Sequence, residues 1–152
     1  MPTEPHASLL IDIGNTHTHT GWHDGKEWIL FNEFSTEELL ENDFNQLSHP
    51  RNLDTPFIWA GFCSVVPKAS ERARIFLRKQ SLKHGYTELT HRNPVGIGID
   101  YPQPETIGPD RIANAMAAAH YFGSPSVVVD FGTAVTFDVV NKKKQYVGVK
   151  TN

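Results

Sequence analysis

The chain has 152 residues, of which 39% are hydrophobic and 20% charged, a balance that is typical of folded globular proteins and excludes general disorder. No apolar run approaches the roughly 20 residues of a membrane span, and no secretory signal pattern opens the sequence, so no membrane partner is expected. The net charge of −3 comes without the broad basic face of a nucleic-acid binder, so no nucleic-acid partner is expected. The single cysteine, Cys63, excludes an internal disulfide and predicts a cytoplasmic location.

The first half of the sequence alternates short apolar runs with turn signals. An apolar run at 8–13 ends at Gly14-Asn15-Thr16, which predicts a buried strand that leads into a turn. Asp24-Gly25 then predicts a hairpin between the segments 17–23 and 27–31. The predictions that follow are a helix or irregular crossover at 35–50, a buried strand at 56–62, a helix from Pro67 through Lys83 closed by Gly85, and a short strand at 86–89.

The second half opens with a segment at 91–109 that is rich in proline and glycine. A long loop inside a compact domain is usually functional or disordered, and this one is predicted to be ordered. The predictions that follow are a helix from Asp110 that stops at Gly123, a strand at 126–133, and a hairpin of strands at 135–140 and 145–149 joined by a turn at 141–144. Strands that alternate with helices, together with two hairpins, predict an α/β fold.

One motif occurs twice, as Asp12-Ile13-Gly14-Asn15-Thr16 and as Asp130-Phe131-Gly132-Thr133-Ala134, each time between an apolar strand and a strand pair. Its glycine lets the backbone approach a phosphate, and successive N–H groups with the threonine hydroxyls can donate to phosphate oxygens. Its aspartate can hold a metal ion, since hard cations prefer carboxylate oxygens. A single copy would favour an ordinary strand-to-turn connection. Two copies in one short chain favour a pair of phosphate-binding hairpins that clamp the polyphosphate of ATP.

Asp110-Arg111 stands where the loop at 91–109 meets the predicted helix. An aspartate there is by default a helix N-cap, and an adjacent arginine is by default a surface residue. The pair would also suit an acidic alcohol substrate, because the arginine can bind a carboxylate or amide oxygen and the aspartate can accept or orient a hydroxyl proton. Spacing alone leaves the structural and the functional interpretation equally favoured.

Three histidines, His17, His19 and His23, invite a zinc interpretation because the first two share one face of a predicted strand. Zinc sites need three or four ligands, and no cysteine lies near these histidines in sequence, so solvent-facing strand histidines are favoured. Cys63 ends an apolar strand and is predicted to be an inert buried thiol.

Four segments, in this order, resemble the type III pantothenate kinase family: Asp12 to Thr16, Ser64-Val65-Val66-Pro67, Tyr101 to Ala115, and Asp130 to Asp138. The resemblance implies a ribonuclease-H-like (actin-like ATPase) α/β fold with a mixed sheet flanked by helices, made of a first domain at 1–123 and the opening hairpin of a second at 124–152. It also implies ATP-dependent phosphorylation of pantothenate to phosphopantothenate, the first step of coenzyme A biosynthesis, by a homodimer.

The resemblance further implies a role for each matching residue. Asp110 would be the catalytic proton acceptor, and Asp12 would lie near the magnesium ion. Asp130 would hold a monovalent cation, K⁺ or NH₄⁺. Pantothenate would contact Tyr101, Gly108, Pro109, Asp110 and Arg111. ATP would contact Asp12, Ile13, Gly14, Asn15, Thr16, His17, Thr18, His19 and Thr133.

Two further hypotheses keep the fold and change the function. A non-catalytic regulatory protein, such as the accessory transcription factors that share these motifs, has no need of four intact residues at 12, 110, 111 and 130, so the enzyme is favoured. A purely structural interaction module would bind no ligand at all.

The family continues beyond the second hairpin, so the chain is expected to be a fragment that binds ligand weakly and does not turn over. The apolar residues of the second hairpin would then be partly exposed, or would borrow cover from the first domain or from a second copy of the chain. They are Val135, Phe137, Val139, Tyr146 and Val149.

Overall fold

The computed structural model describes residues 6–47, 57–131 and 135–148. The chain forms two compact units, Met1–Glu88 and Leu89–Asn152. The predicted domain boundary at 123 rests on the repeated motif. The compact units divide at 88 instead, because the helix at Pro109–Tyr121 packs on the strands that follow it. The motif-based boundary stays a prediction.

A five-stranded mixed sheet forms the first unit. Its strands are β1 (Ala7–Ile13), β2 (His17–His23), β3 (Trp28–Ser35), β4 (Phe57–Ser64) and β5 (Tyr86–Glu88), in the order β3-β2-β1-β4-β5. The first three strands are antiparallel neighbours, and β4 and β5 run parallel to β1. Two helices, α1 (Thr36–Glu41) and α2 (Pro67–Arg78), accompany this sheet. This strand order is that of the ribonuclease-H-like fold, so the predicted fold class is confirmed.

The core of the first unit follows from alternation along β1. Leu9, Ile11 and Ile13 are buried on one face of the strand, while Asp12 points to the other face and is exposed. In a strand, successive side chains point to opposite faces, so one buried stripe fixes the pairing register of its neighbours. The same cluster takes apolar residues of α2, including Ala73 and Leu77.

Helix α2 begins at Pro67, as predicted, but it ends at Arg78 instead of Lys83. The segment after the helix returns to the sheet, because the His84 N–H donates to the carbonyl oxygen of Ile58 at 2.8 Å. Gly85 follows with a φ of +67°, which a glycine adopts without strain. The helix is shorter than predicted because the chain must leave it in time to form this hydrogen bond with β4. Helix propensity does not reveal such a contact.

The second unit contains a four-stranded sheet and one long helix. The strands are β6 (Gly98–Ile99), β7 (Ser126–Phe131), β8 (Val135–Val140) and β9 (Gln145–Tyr146), in the order β6-β9-β8-β7, and the helix is α3 (Pro109–Tyr121). Strand β6 lies inside the segment predicted as loop, because the Gly98 and Asp100 N–H groups donate to carbonyl oxygens of Lys144 and Tyr146. Among the described residues, none of the helices has the length and apolar character that crossing a membrane requires.

One face of the β7–β8 pair is apolar and open. Cross-strand partners share a face, and the partners Val129–Phe137 and Phe131–Val135 are all exposed. The predicted exposure is thus confirmed for Val135 and Phe137, and Val139 is partly buried. Tyr146 is instead buried, because its ring packs into a core that includes Ile107 and Ile112, so this residue follows the predicted alternative of borrowed cover. Val149 lies outside the described residues.

The first unit predicts a contrast between two isoleucines. Ile11 is 2% exposed in β1 and Ile29 is 40% exposed in β3. The substitution Ile11→Ala removes buried methyl groups and leaves a cavity, so it should lower the free energy of unfolding by about 2–5 kcal/mol. The matched substitution Ile29→Ala should cost less than about 1 kcal/mol. Urea denaturation followed by tryptophan fluorescence measures both, and equal costs would contradict the assigned register.

Candidate functional site

The first glycine turn lies between β1 and β2. Its Gly14 N–H donates to the carbonyl oxygen of His17 at 2.9 Å, and a Cβ at Gly14 would stand 2.9 Å from that same oxygen. A side chain at this position would therefore press against backbone, so the turn requires glycine. Because the Gly14 N–H is used inside the hairpin, the donors left for a phosphate belong to the exposed residues Asn15 and Thr16.

A buried threonine in the first turn of α1 fixes this glycine turn. The Thr36 N–H donates to the Thr16 carbonyl and the Thr36 hydroxyl donates to the Gly14 carbonyl, both at 2.9 Å. The Thr36 hydroxyl has one proton, so the Thr18 hydroxyl is the donor in the 2.9 Å contact between the two Oγ1 atoms. Sequence reasoning assigned no role to Thr36. Its only sequence signal is the Ser35 N-cap that precedes it.

The predicted ATP-binding residues of β1 and β2 divide between two faces. Ile13 and Thr18 are buried, so neither is open to a ligand in this structure. The residues Asp12, Asn15, Thr16, His17 and His19 are exposed, and Gly14 is partly buried.

Four chemically active side chains cross the sheet in one row. Cross-strand register aligns Cys63 of β4, Asp12 of β1, His19 of β2 and Glu33 of β3. The buried Cys63 thiol donates to Asp12 Oδ1 at 3.2 Å, and His19 Nδ1 lies 3.5 Å from Glu33 Oε2. Cys63 is buried as predicted, yet it lies against the motif aspartate. His17 Nε2 also approaches Glu33, at 4.0 Å.

Metal chemistry at this row is limited by the donor set. Among the described residues, no group of three or more histidine, cysteine, aspartate or glutamate side chains is arranged to hold a metal ion. Magnesium needs less from the protein, because it keeps several waters and is commonly bound through one or two carboxylates plus substrate phosphates. The exposed carboxylate of Asp12, beside the glycine turn, fits that requirement.

In the second unit, the helix α3 begins at the predicted substrate segment. Gly108 is the N-cap and carries no side chain, Pro109 is the first helical residue, and Asp110 is the second. The interpretation of Asp110 as N-cap is therefore wrong by two positions, because proline already supplies a favourable helix start. Asp110 Oδ1 accepts the Arg111 N–H at 2.9 Å. This carboxylate thus lies at the positive end of the helix dipole, where negative charge is stabilised.

The side chain of Arg111 turns toward the sheet of its own unit. Its Nε donates to Asp138 Oδ1 at 2.7 Å, and its Nη2 donates to the carbonyl oxygen of Phe137 at 3.1 Å. The Asp138 side chain is 0% exposed, whereas the Arg111 side chain is 33% exposed. An arginine whose inner edge is paired in this way has a fixed orientation and a partly open outer edge.

Asp138 also accepts a hydrogen bond from a tyrosine. The Tyr146 hydroxyl donates to Asp138 Oδ1 at 2.6 Å. Burial, and then the hydrogen bond and charge of Asp138, raise the pKa of Tyr146 well above its usual range, so the phenol remains a donor at any physiological pH. Among the described residues, Asp138 Oδ2 is buried without a hydrogen-bond partner.

Tyr101, a predicted substrate residue, belongs to the same cluster. Its ring packs edge-on against Tyr146 with centroids 6.2 Å apart. A Cβ at Gly148 would stand 2.6 Å from the Tyr101 ring, and Gly148 has a φ of +64°. Only glycine combines this backbone conformation with this approach. The structure therefore brings Tyr101, Gly108, Pro109, Asp110 and Arg111 to one unit, with Tyr146, Asp138 and Gly148 behind them.

Sequence reasoning assigned no role to Asp138 or Tyr146. A signal for Asp138 existed, because it is the one charged residue in the apolar strand pattern of β8. For Tyr146 the sequence offered no signal beyond an aromatic residue in a hairpin.

The second motif is described only in part. Asp130 is an exposed residue of β7 that pairs with Thr136, on the face of the sheet that also carries Asp138. Thr133, predicted to contact ATP, lies outside the described residues, as does Gly132. The monovalent-cation role of Asp130 stays a prediction.

Similar folds occur among solved structures. A protein described as a conserved putative Baf family transcriptional activator from Campylobacter jejuni matches with a TM-score of 0.48 and 24% identity, over 92% of this chain and 51% of that one. The PPX-GPPA enzyme of Aquifex aeolicus matches with a TM-score of 0.39 and 13% identity, over 93% of this chain and 50% of that one.

Sequence comparison identifies closer relatives, three of which are named type III pantothenate kinase. The Akkermansia muciniphila protein is 49% identical over 86 residues, which are 57% of this chain and 34% of that protein. The Methylacidiphilum infernorum protein is 34% identical over 92% of this chain and 48% of its own length. The Streptomyces avermitilis protein is 33% identical over 92% of this chain and 57% of its own length.

The chain thus spans about half the length of the curated relatives it matches. A family model described as type III pantothenate kinase matches residues 8–150. That range includes both copies of the repeated motif and the predicted substrate segment before α3. The chain belongs to the type III pantothenate kinase family.

Proposed function

We propose that this protein acts in the transfer of the γ-phosphoryl group of ATP to the primary hydroxyl of pantothenate. The observation that carries the proposal is the family match over residues 8–150, together with the substrate segment at the start of α3. Phosphoryl transfer needs positioning and charge neutralisation more than covalent chemistry from the protein. The proposal therefore assigns one of these tasks to each unit.

The first unit would neutralise and hold the phosphates. Its glycine turn presents the exposed residues Asn15 and Thr16, and Thr36 holds the turn by two hydrogen bonds. Asp12 would hold magnesium, which supplies positive charge against the β- and γ-phosphates when it is bound. The Cys63 thiol, which donates to Asp12 Oδ1, supports this role by orienting the carboxylate.

The second unit would bind and activate the acceptor. Asp110 takes the proton of the pantothenate hydroxyl as its oxygen forms a bond to the γ-phosphorus, while the bond from that phosphorus to the bridging oxygen of ADP breaks. Asp110 lies in the first turn of α3, where the helix dipole stabilises a negative charge. Arg111 and Tyr101 would contact pantothenate.

The finer features belong to the same proposal. K⁺ or NH₄⁺ at Asp130 and assembly as a homodimer follow from the family resemblance, and a cytoplasmic location follows from the single cysteine. The exposed position of Asp130 at the end of β7 supports access of a cation. No step of the reaction is routed through that cation.

Binding and transfer are tested separately. The 152-residue chain should bind pantothenate in an NMR titration. A chimera that adds the part of the Methylacidiphilum infernorum relative beyond the matched region should phosphorylate pantothenate in a coupled ADP-release assay. Ligand binding by the chain without turnover by the chimera would favour the regulatory hypothesis. If the chain binds neither pantothenate nor MgATP, a structural interaction module would be favoured and the proposal contradicted.

In that chimera, Asp110→Asn should lower kcat by about 10²–10⁴-fold, because the amide cannot accept the hydroxyl proton. Its affinity for nucleotide should remain within about twofold. Asp100→Asn is the matched control, since Asp100 is an exposed aspartate of the same unit, and it should turn over at the unaltered rate. Turnover that survives Asp110→Asn would show that Asp110 serves only the helix terminus.

The glycine turn yields a prediction for the phosphate side. Gly14→Ala forces a Cβ to within 2.9 Å of the His17 carbonyl oxygen, so the turn must open and the affinity for MgATP should fall about tenfold or more. Pantothenate affinity should be unchanged. The control Gly98→Ala meets its nearest atom at 3.4 Å, in a flexible glutamine side chain, and should bind both ligands normally. Calorimetry of the 152-residue chain measures the four affinities.

A further inference from the structure

We propose that Asp138 is a positioning residue for pantothenate binding. It acts by holding the guanidinium of Arg111 in one orientation through a hydrogen bond. Tyr146 completes the arrangement by holding the Asp138 carboxylate. The inference rests on the proposed function, because it takes the contact between Arg111 and pantothenate from it. Asp138 itself does not touch the substrate.

The hydrogen bonds of Arg111 define what remains for a ligand. Asp138 Oδ1 accepts from Nε at 2.7 Å, and the Phe137 carbonyl accepts from Nη2 at 3.1 Å. Both contacts use the same edge of the planar guanidinium. Nη1 and the second proton of Nη2 form the opposite edge, and this outer edge is the one that a substrate oxygen can reach. Because the guanidinium is rigid, fixing one edge fixes the direction of the other.

Tyr146 limits the movement of the carboxylate. Its hydroxyl donates to the same oxygen, Asp138 Oδ1, at 2.6 Å. The tyrosine is itself held, because it is buried and its ring packs on Tyr101. The chain of contacts thus links two predicted pantothenate residues, Tyr101 and Arg111, through Tyr146 and Asp138.

A purely stabilising role for Asp138 is the competing explanation. Buried ion pairs contribute little net stability, since desolvation offsets their attraction, and apolar residues of similar size often replace them without loss. The carboxylate here also leaves Oδ2 buried without a partner among the described residues, which costs stability. A fully buried aspartate at this position is therefore better explained by what it does to Arg111 than by packing.

The experiment is a mutant cycle on the 152-residue chain. Pantothenate affinity is measured by NMR titration for the unaltered chain, Asp138→Ala, Arg111→Ala and the double variant, with MgATP affinity measured alongside. Asp138→Ala should weaken pantothenate binding about tenfold, the typical effect of losing a hydrogen bond to a charged group. Affinity for MgATP should not change. In the Arg111→Ala background the same substitution should have no further effect, because Asp138 acts through Arg111.

Three further variants serve as tests and controls. Asp138→Asn keeps an oxygen acceptor for Arg111 and Tyr146, so it should fold and restore affinity to within about threefold of the unaltered chain. Tyr146→Phe should weaken pantothenate binding less than Asp138→Ala does. The matched Tyr121→Phe, in an exposed tyrosine at the end of α3, should have no effect. A readout without ligand is the Arg111 Nε–H resonance, which should exchange slowly with solvent in the unaltered chain and rapidly in Asp138→Ala.

The outcomes separate the two proposals. If Arg111→Ala weakens pantothenate binding and Asp138→Ala does not, the positioning role is wrong and the proposed function stands. If Asp138→Ala weakens binding equally with and without Arg111, Asp138 acts independently and the inference is also wrong. If the unaltered chain binds no pantothenate while the Arg111 Nε–H is protected, the proposed function fails for this chain, and the substrate role of Asp138 fails with it.

Discussion

The second unit depends on one buried charge. Asp138 has no exposed surface, and its Oδ1 accepts from both Arg111 and Tyr146. Removing such a carboxylate from water is costly unless it is paired. Helix α3 and strand β9 must therefore place Arg111 and Tyr146 within hydrogen-bond distance of Asp138 in β8. The N-terminus of α3, where Asp110 lies, is thereby tied to the sheet by an ion pair in addition to apolar contacts.

The first unit fixes its functional turn by a different interaction. Thr36 uses its backbone N–H and its hydroxyl to hold the carbonyl groups of Thr16 and Gly14, and Thr18 donates to Thr36. Every group in this arrangement is neutral. A charged side chain in the place of Thr36 would itself attract or repel the phosphate and its metal ion. With neutral anchors, the charge near the turn comes from the exposed carboxylates of Asp12 and Glu33.

Apart from β6, which lies in the segment predicted as loop, the sequence predicted the strands of both units because each is a local pattern. The apolar run of β1, the glycine of its turn and the proline at the start of α2 act within a few residues of themselves. The end of α2 was not predictable in this way, since it depends on a hydrogen bond between His84 and the distant Ile58. The burial of Tyr146 and the pairing of Asp138 with Arg111, 27 residues away, are likewise products of tertiary structure. Family resemblance assigned roles to Asp110 and Arg111 but none to Asp138 or Tyr146.

The Arg111–Asp138 pair also bears on how an acceptor is chosen. A lone arginine would attract any anion. When an arginine is paired with a buried carboxylate, the two charges largely cancel, so the pair attracts an anion several ångströms away only weakly. What such a pair offers is the geometry of its outer N–H groups, which discriminates by the position of an oxygen acceptor more than by total charge. In the proposed kinase the phosphate side would then rely on magnesium and backbone donors, and the acceptor side on directed hydrogen bonds. This division follows from where each unit places its charges. The first unit has an exposed carboxylate at Asp12, whereas the buried carboxylate of the second unit, Asp138, is paired with Arg111.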